Sequence, residues 1–494
     1  MKLILGPIIG EVLHNRAKIW IFWHKDSDNE TAPQCLIFKD EVCTQEISES
    51  EFLTVSSSVH ETKFENKPIL GVAGLANISF PTGEKKLYFK IKPSSESDTQ
   101  ESHVYSFHPS PQIGAKIEEL SFALISCHKP TFENKEKDKK LVASMWSSLK
   151  NEMRNNDCRF LIQAGDQIYA DHERYNVWEN SLNEDSLEKR LKFYRNAYLK
   201  SWNFPEVQNL MQTFSQYMIW DDHDITNGWG SNKEHSKEVR YRRVFETARQ
   251  VYNEFQHCHN PDPLRNGKIY FSFNYGPVAF LFMDLRGQRD ITLYDPSRPA
   301  DSFPLAGKEQ WDDITSLLNS EVLQKSKILF VVTSVPVCHL SRKFGSLGIF
   351  MNDIRDQWST QHNKMERRKL LKLLYQWSGE KKRPVIILGG DVHVGTIANI
   401  TEQDEPKRTI HQITSSPITN KPSRFLDYFL TSFSSRFNFH LDTERIIEVK
   451  GEITKRYRKR NFAIIKLQFT EETPSVYLHM YQQGKEEPDI TQLI

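Results

Sequence analysis

Six cysteines in 494 residues, at positions 35, 43, 127, 158, 258 and 338, lack the regular spacing of a disulfide framework. That excludes a small cross-linked scaffold and fits a reducing compartment, although a Cys35–Cys43 bridge is conceivable. Charge of one sign is not in excess either. Lys+Arg (65) and Asp+Glu (64) nearly cancel, so no global field draws the chain to nucleic acid or to an anionic membrane. The basic stretch Lys455, Arg456, Arg458, Lys459 and Arg460 has no stacking aromatic beyond Tyr457 and reads as solvated surface. No segment approaches the roughly 18 uninterrupted apolar residues of a membrane span. The opening MKLILGPIIGEVLHNRAKIWIFW fails as an export signal, because Gly6, Pro7 and Gly10 interrupt it and no small-residue cleavage site precedes His14 to Lys18. A soluble, cytoplasmic protein is expected. Internal repeats and low-complexity tracts are missing as well.

What is present divides in two, as the length predicts. Residues 1–115 carry short strand-like runs (KIWIFW, QCLIFK, FLTVSSSV, ANISF, KKLYFKIK, HVYSF) separated by turn signals, which predict a small β-sandwich domain. HPSPQIG, 108–114, is the expected linker. Over 116–494, strands alternate with helical stretches such as LVASMWSSLKNEM, SLEKRLKFYRNAYLKSW, EVRYRRVFETARQVYNEF, EQWDDITSLL and ERRKLLKLLYQWS. Their aromatics, Trp146, Tyr194 and Trp377 among them, are expected in the core. FAIIKLQF and SVYLHMYQ return to strands near the end, as a further edge or a small sheet. The fold class is α/β, a β-sheet core flanked by helices.

Six apolar runs in this second part stop at residues able to hold metal or phosphate. SFALIS ends at Cys127, RFLIQAG at Asp166 and Tyr169, YMIW at Asp221 to Asp224, AFLFM at Asp284 to Arg289, ILFVVTS at Ser334 and Pro336, and VIILGG at Asp391 and His393. Runs that do not alternate with polar residues read as strands buried on both faces of a largely parallel sheet. Ligands of such sheets collect beyond the carboxyl ends of the strands.

Each motif has a plain structural alternative. In GDQIYAD, Asp166 and Tyr169 can converge on one ion, yet Gly-Asp turns are common. A phenol needs a strongly Lewis-acidic ion such as Fe³⁺ to ionise at neutral pH. In IWDDHDITNG, Asp222 and Asp224 flank His223; so many titratable groups in a row would repel one another in a purely structural role, and a histidine beside a carboxylate can serve as general acid. In ILGGDVHVG, Asp391 and His393 can reach one site from a tight turn, with Gly389, Gly390 and Gly395 allowing close backbone approach. Cys127 alone would be a small buried hydrophobe, but it stands at a strand end. His128 points away from it if the strand continues. Arg286 and Arg289 either clamp phosphate or pair with Asp284 or Asp290.

Taken in order, SCHKP, GDQIYAD, WDDHD, DLRGQR, SVP, GGDVHVG and ITSSP resemble the alkaline phosphatase D (PhoD-like) family, a branch of the calcineurin-like metallophosphoesterases. The opening LGPIIGEV with AKIWIFW resembles the β-sandwich that precedes the catalytic domain there. The resemblance implies a first metal, ferric iron, held by Cys127, Asp166, Tyr169 and His393. Asp166 would bridge to a second metal shared with Asp222 and Asp391. It places His223 against substrate or leaving group with Asp224 orienting it, and Arg286 or Arg289 on the phosphate. The strand ILFVVTSVPV lacks the histidine that the wider superfamily gives its second metal, and His339 lies late for that role. That site is therefore rich in oxygen and suits Ca²⁺, Mn²⁺ or Mg²⁺. Two cations roughly 3.5–4 Å apart can activate a bridging hydroxide for in-line displacement at phosphorus. The expected activity is metal-dependent hydrolysis of a small-molecule phosphoester. A phosphodiesterase with the same site is one alternative, and a non-catalytic metal-binding scaffold is the other.

Overall fold

Three of the six apolar runs enter one sheet and the other three enter a second. The computed structural model describes residues 2–25, 31–61, 68–93, 103–130, 135–172, 176–231, 235, 238–289, 305–339, 358, 363–379, 382–404, 408–422, 434–441, 445–470 and 473–494. A six-stranded sheet runs Ser215–Ile219, Cys158–Ala164, Glu119–Ile125, Asn461–Gln468, Ser475–Gln482, Asp489–Gln492. Its first three strands are parallel, and Asn461–Gln468 joins antiparallel beside Glu119–Ile125. The C-terminal strands thus complete this sheet rather than forming a separate one. An eight-stranded sheet runs Phe271–Tyr275, Val278–Met283, Ile328–Thr333, Val385–Gly389, Thr409–Thr414, Gly395–Glu402, Ile446–Tyr457, Ser434–His440. Val278–Met283 through Thr409–Thr414 are its parallel part.

The expectation of a single largely parallel sheet is corrected here, and period-two side-chain geometry explains why. Phe280, Phe282, Phe330, Val332, Ile386 and Leu388 face the six-stranded sheet, whereas Ala279, Leu281, Leu329, Val331, Val385 and Ile387 join a core with the helices Gly307–Leu318 and Lys364–Ser378. Val278–Met283, Ile328–Thr333 and Val385–Gly389 are each covered on both faces, by a sheet on one side and helices on the other. Each sequence therefore looks the same as that of a strand between two helical layers. Between the sheets, Phe122 meets Phe280 and Phe330 edge-on, with centroids 5.3 and 5.1 Å apart. Helices Lys135–Asn155, Leu187–Trp202 and Val239–Phe255 contribute to the core on the six-stranded side. Trp146, Tyr194 and Trp377 are buried as expected.

Ahead of this lies a β-rich region of two four-stranded antiparallel sheets. One is ordered Lys2–Val12, Arg16–Lys25, Pro68–Ser79, Leu53–Glu61, and the other Glu46–Glu51, Gln34–Phe38, Leu87–Lys92, Tyr105–Phe107. Ile19, Ile21 and Trp23 fill its own core. The alternate residues Trp20 and Phe22 pack on Phe255 with ring centroids 5.3 and 5.9 Å apart, and Trp20 Nε1 donates to the Glu254 carbonyl at 2.9 Å. Strand alternation thus ties this region to the helical layer. Cys35 and Cys43 are both free, so no bridge forms between them. No described helix is long and apolar enough to cross a membrane.

Candidate metal centre

The parallel strands end by bending sharply. Cys127 (φ 60°), Asp166 (φ 58°), Asp391 (φ 61°) and His393 (φ 53°) all occupy the left-handed region. Each such residue costs about 1–2 kcal/mol, and strain of this kind clusters where side chains must be aimed. Glycines let the two rims approach: a Cβ on Gly390 would sit 2.5 Å from the Ala164 carbonyl oxygen and from Ser126 Cβ. Residues following different strands, in different sheets, therefore share one pocket.

The ligand-bearing atoms of Cys127, Asp166 and His393 all lie within 4.8 Å of one another, and so do those of Asp166, Asp221, Asp222 and Asp391. Asp166 belongs to both groups. Its Oδ2 is 3.4 Å from Cys127 Sγ and accepts from the Tyr169 hydroxyl at 3.2 Å, and that hydroxyl stands 3.4 Å from His393 Nε2. The structure thus brings together Cys127, Asp166, Tyr169, Asp222, Asp391 and His393.

The donor set fits cations. Burial raises Asp166 well above the usual carboxylate range; His223 opposes this, while Asp222, Asp221 and Asp224 reinforce it. Burial and the Asp166 charge likewise raise the Cys127 thiol and the Tyr169 phenol. Burial pushes His393 down to about 3, so its imidazole is neutral and able to ligate. A pocket of buried acids that repel one another, with a neutral histidine at its edge, is relieved by positive charge. Asp222 Oδ1 is buried and accepts no hydrogen bond among the described residues.

His223 forms a third such group with Asp166 and Asp222, its ring 4.2 Å from that of Tyr169. Burial would lower its pKa, but Asp171, Asp222 and Asp166 together outweigh burial and hold it well above the usual value. The carboxylate on its ring is Asp171, at 2.7 Å from Nδ1. Asp224, expected to orient His223, turns the other way. It accepts from the backbone N–H of Asp166, Gln167 and Ile168 at 2.9, 3.2 and 3.3 Å and braces the loop that carries Asp166.

The two arginines are placed differently from each other. Arg286 is fully buried and pairs with Asp221 through Nε, with Nη2 3.6 Å from Asp222 and Nη1 donating to the Trp229 carbonyl. Its guanidinium lies among the acids. Arg289 packs on Gly230, and Glu366 feels its charge. Asp284 accepts instead from Trp220 Nε1 and the Gly287 N–H, at 2.9 and 2.8 Å, and Asp290 lies outside the described residues. His339 joins none of the metal-competent groups among the described residues. His128 is buried away from the pocket, 2.9 Å from the Ser201 carbonyl.

Sequence reasoning missed Asp171, although it closes the same GDQIYAD motif, and gave Asp221 no role beyond its place in the run Asp221 to Asp224. It also missed Asn420, whose Nδ2 lies 2.8 Å from the Tyr169 hydroxyl and 2.9 Å from His393 Nε2. Asn420 sits just beyond ITSSP, whose Ser416 donates to Cys127 Sγ at 3.1 Å. No metal-ligand pattern marks that loop.

A family model described as PhoD-like phosphatase matches residues 122–473. A solved structure described as "Structure of PhoD" superposes with a TM-score of 0.64 over 99% of this chain and 92% of that one, at 16% identity, a likeness of fold. An uncharacterized protein of Saccharomyces cerevisiae is 23% identical over 71% of this chain, which spans about 60% of that curated relative's length.

Proposed function

This chain belongs to the PhoD-like phosphatase family, and on that premise we propose that it is a phosphoester hydrolase working through a binuclear metal centre. The observation that carries this reading is the Asp166 carboxylate, common to a Cys127/His393 group and to an Asp222/Asp391 group. Cys127, Tyr169 and His393 would hold ferric iron on one side, and Asp222 and Asp391 would hold Ca²⁺, Mn²⁺ or Mg²⁺ on the other, with Asp166 between them. Such a pair supplies Lewis acidity and an activated water for in-line attack on phosphorus. In the same reading, residues 1–115 form a separate domain that buttresses the helical layer.

The chain's own residues do the rest. His223, charged and aligned by Asp171, gives its proton to the departing oxygen. Arg286 holds Asp221, its buried salt bridge keeping neighbouring Asp222 ordered. Asp224 fixes the backbone of 166–168 so that Asp166 faces both ligand groups. Cys127, inside the ligand set, is not a nucleophile.

Turnover of p-nitrophenyl phosphate and of its bis-ester by protein loaded with iron and calcium or manganese tests the assignment. Cleavage of the monoester is expected. Preferential cleavage of the bis-ester would make the protein a phosphodiesterase, and cleavage of neither would leave a metal-binding scaffold.

A further inference from the structure

We propose that Lys129 binds the reacting phosphoryl group and biases the site toward dianionic monoesters, a proposal that rests on the hydrolase reading above. Arg286 is committed to Asp221 and Asp222, and Arg289 lies back against Gly230. Both arginines are buried, whereas Lys129, two residues after Cys127, is open to solvent on one side. It is partly exposed, and its ammonium lies 4.6 Å from the centroid of the Tyr169 ring. Among the described residues no carboxylate pairs with it. Its charge is felt by His393, so it acts on the pocket and not on remote solvent. With His128, His172, Lys200 and Tyr169 it lines a small cleft opening beside the phenol.

An ammonium held over a metal-ligating phenol is opposed by the centre's cations until an anion arrives. A phosphomonoester dianion satisfies both at once, whereas a diester brings a single charge and gains less from Lys129. A charge-assisted hydrogen bond to phosphate is worth about tenfold or more in affinity.

The metal-loaded full chain and its K129A and K129R variants test this through binding of inorganic phosphate, kcat/KM on p-nitrophenyl phosphate and its bis-ester, and metal content per chain. In K129A, phosphate affinity is expected to fall about tenfold, and monoester kcat/KM to fall about tenfold more than diester kcat/KM, with metal content unchanged. K129R is expected to recover most of the loss. Equal losses on the two esters, unaltered phosphate affinity, or loss of metal from K129A would each overturn the proposal. If the wild type cleaves neither ester, the hydrolase reading falls, and the phosphate titration of wild type against K129A still decides the role of Lys129.

Discussion

Asp171 Oδ1 lies 2.7 Å from His223 Nδ1, and this contact fixes the direction of the imidazole. With Nδ1 occupied, Nε2 is the nitrogen left to donate to a substrate. The pair spans two loops: Asp171 closes the turn after Cys158–Ala164, and His223 opens the turn after Ser215–Ile219. These strands are neighbours in register, Ala164 opposite Ile219.

Replacing Asp171 by Asn keeps the volume and removes the charge. The variant is expected to keep its metals and to lose about 10²-fold in kcat, the scale of a positioned general acid. The loss should be larger for a substrate with an alkyl leaving group than for p-nitrophenyl phosphate, whose phenolate departs with little help from a proton. A uniform loss across leaving groups would assign Asp171 a merely structural part.

Asp166→Asn removes the one carboxylate common to the two ligand groups. Both metals should weaken together, and turnover should drop by about 10³-fold or more. Metal analysis alongside activity decides the matter: a variant with two tightly held metals and full activity eliminates the bridge.

How much of this was legible depends on how local each signal is. Cys127, Asp166, Asp222, Asp391 and His393 each follow an apolar run directly, so strand identity and ligand position could be read from one short window. The partner of His223 could not, because Asp224 and Asp171 both lie within short motifs and only the folded chain brings Asp171 to the ring while Asp224 turns to the backbone of 166–168. Arg286 was ambiguous for a similar reason: Asp221, its partner, lies 65 positions away. The division into two sheets was hidden because a sheet and a helical layer demand the same apolar residues.

Glu366 provides a pH-dependent test outside the pocket. Burial raises its carboxyl to about 7, although the N–H groups of Leu305 and Ala306 and the Trp311 indole favour the charged form. A folded-state pKa above the unfolded value near 4.3 gives a stability contribution present below about pH 4 and lost as pH rises through 7. Wild type should therefore lose stability relative to Glu366→Gln between pH 4.5 and 8, by on the order of 3 kcal/mol. Urea denaturation of both proteins across that range checks the sign; a gap that is flat or opposite in slope refutes it.

Gly390 ties the fold to the site. It lies between Gly389, the last residue of an eight-stranded-sheet strand, and Asp391, and a methyl group there would meet the Ala164 carbonyl and Ser126, both on the facing sheet's rim. Those neighbours are backbone and the residue next to Cys127, so neither yields without moving a ligand. Gly390→Ala is expected to cost about 1–3 kcal/mol of stability, the usual scale for overpacking. It should also separate Cys127 and Asp166 from Asp391 and His393, so metal affinity should fall in step. Gly74→Ala supplies the contrast, since its added carbon would meet the Trp23 side chain at 2.5 Å and the Leu53 carbonyl at 3.3 Å, in the N-terminal sheets and away from the ligand groups. Equal metal affinity in the two variants would show that the approach of the rims does not set the geometry of the centre.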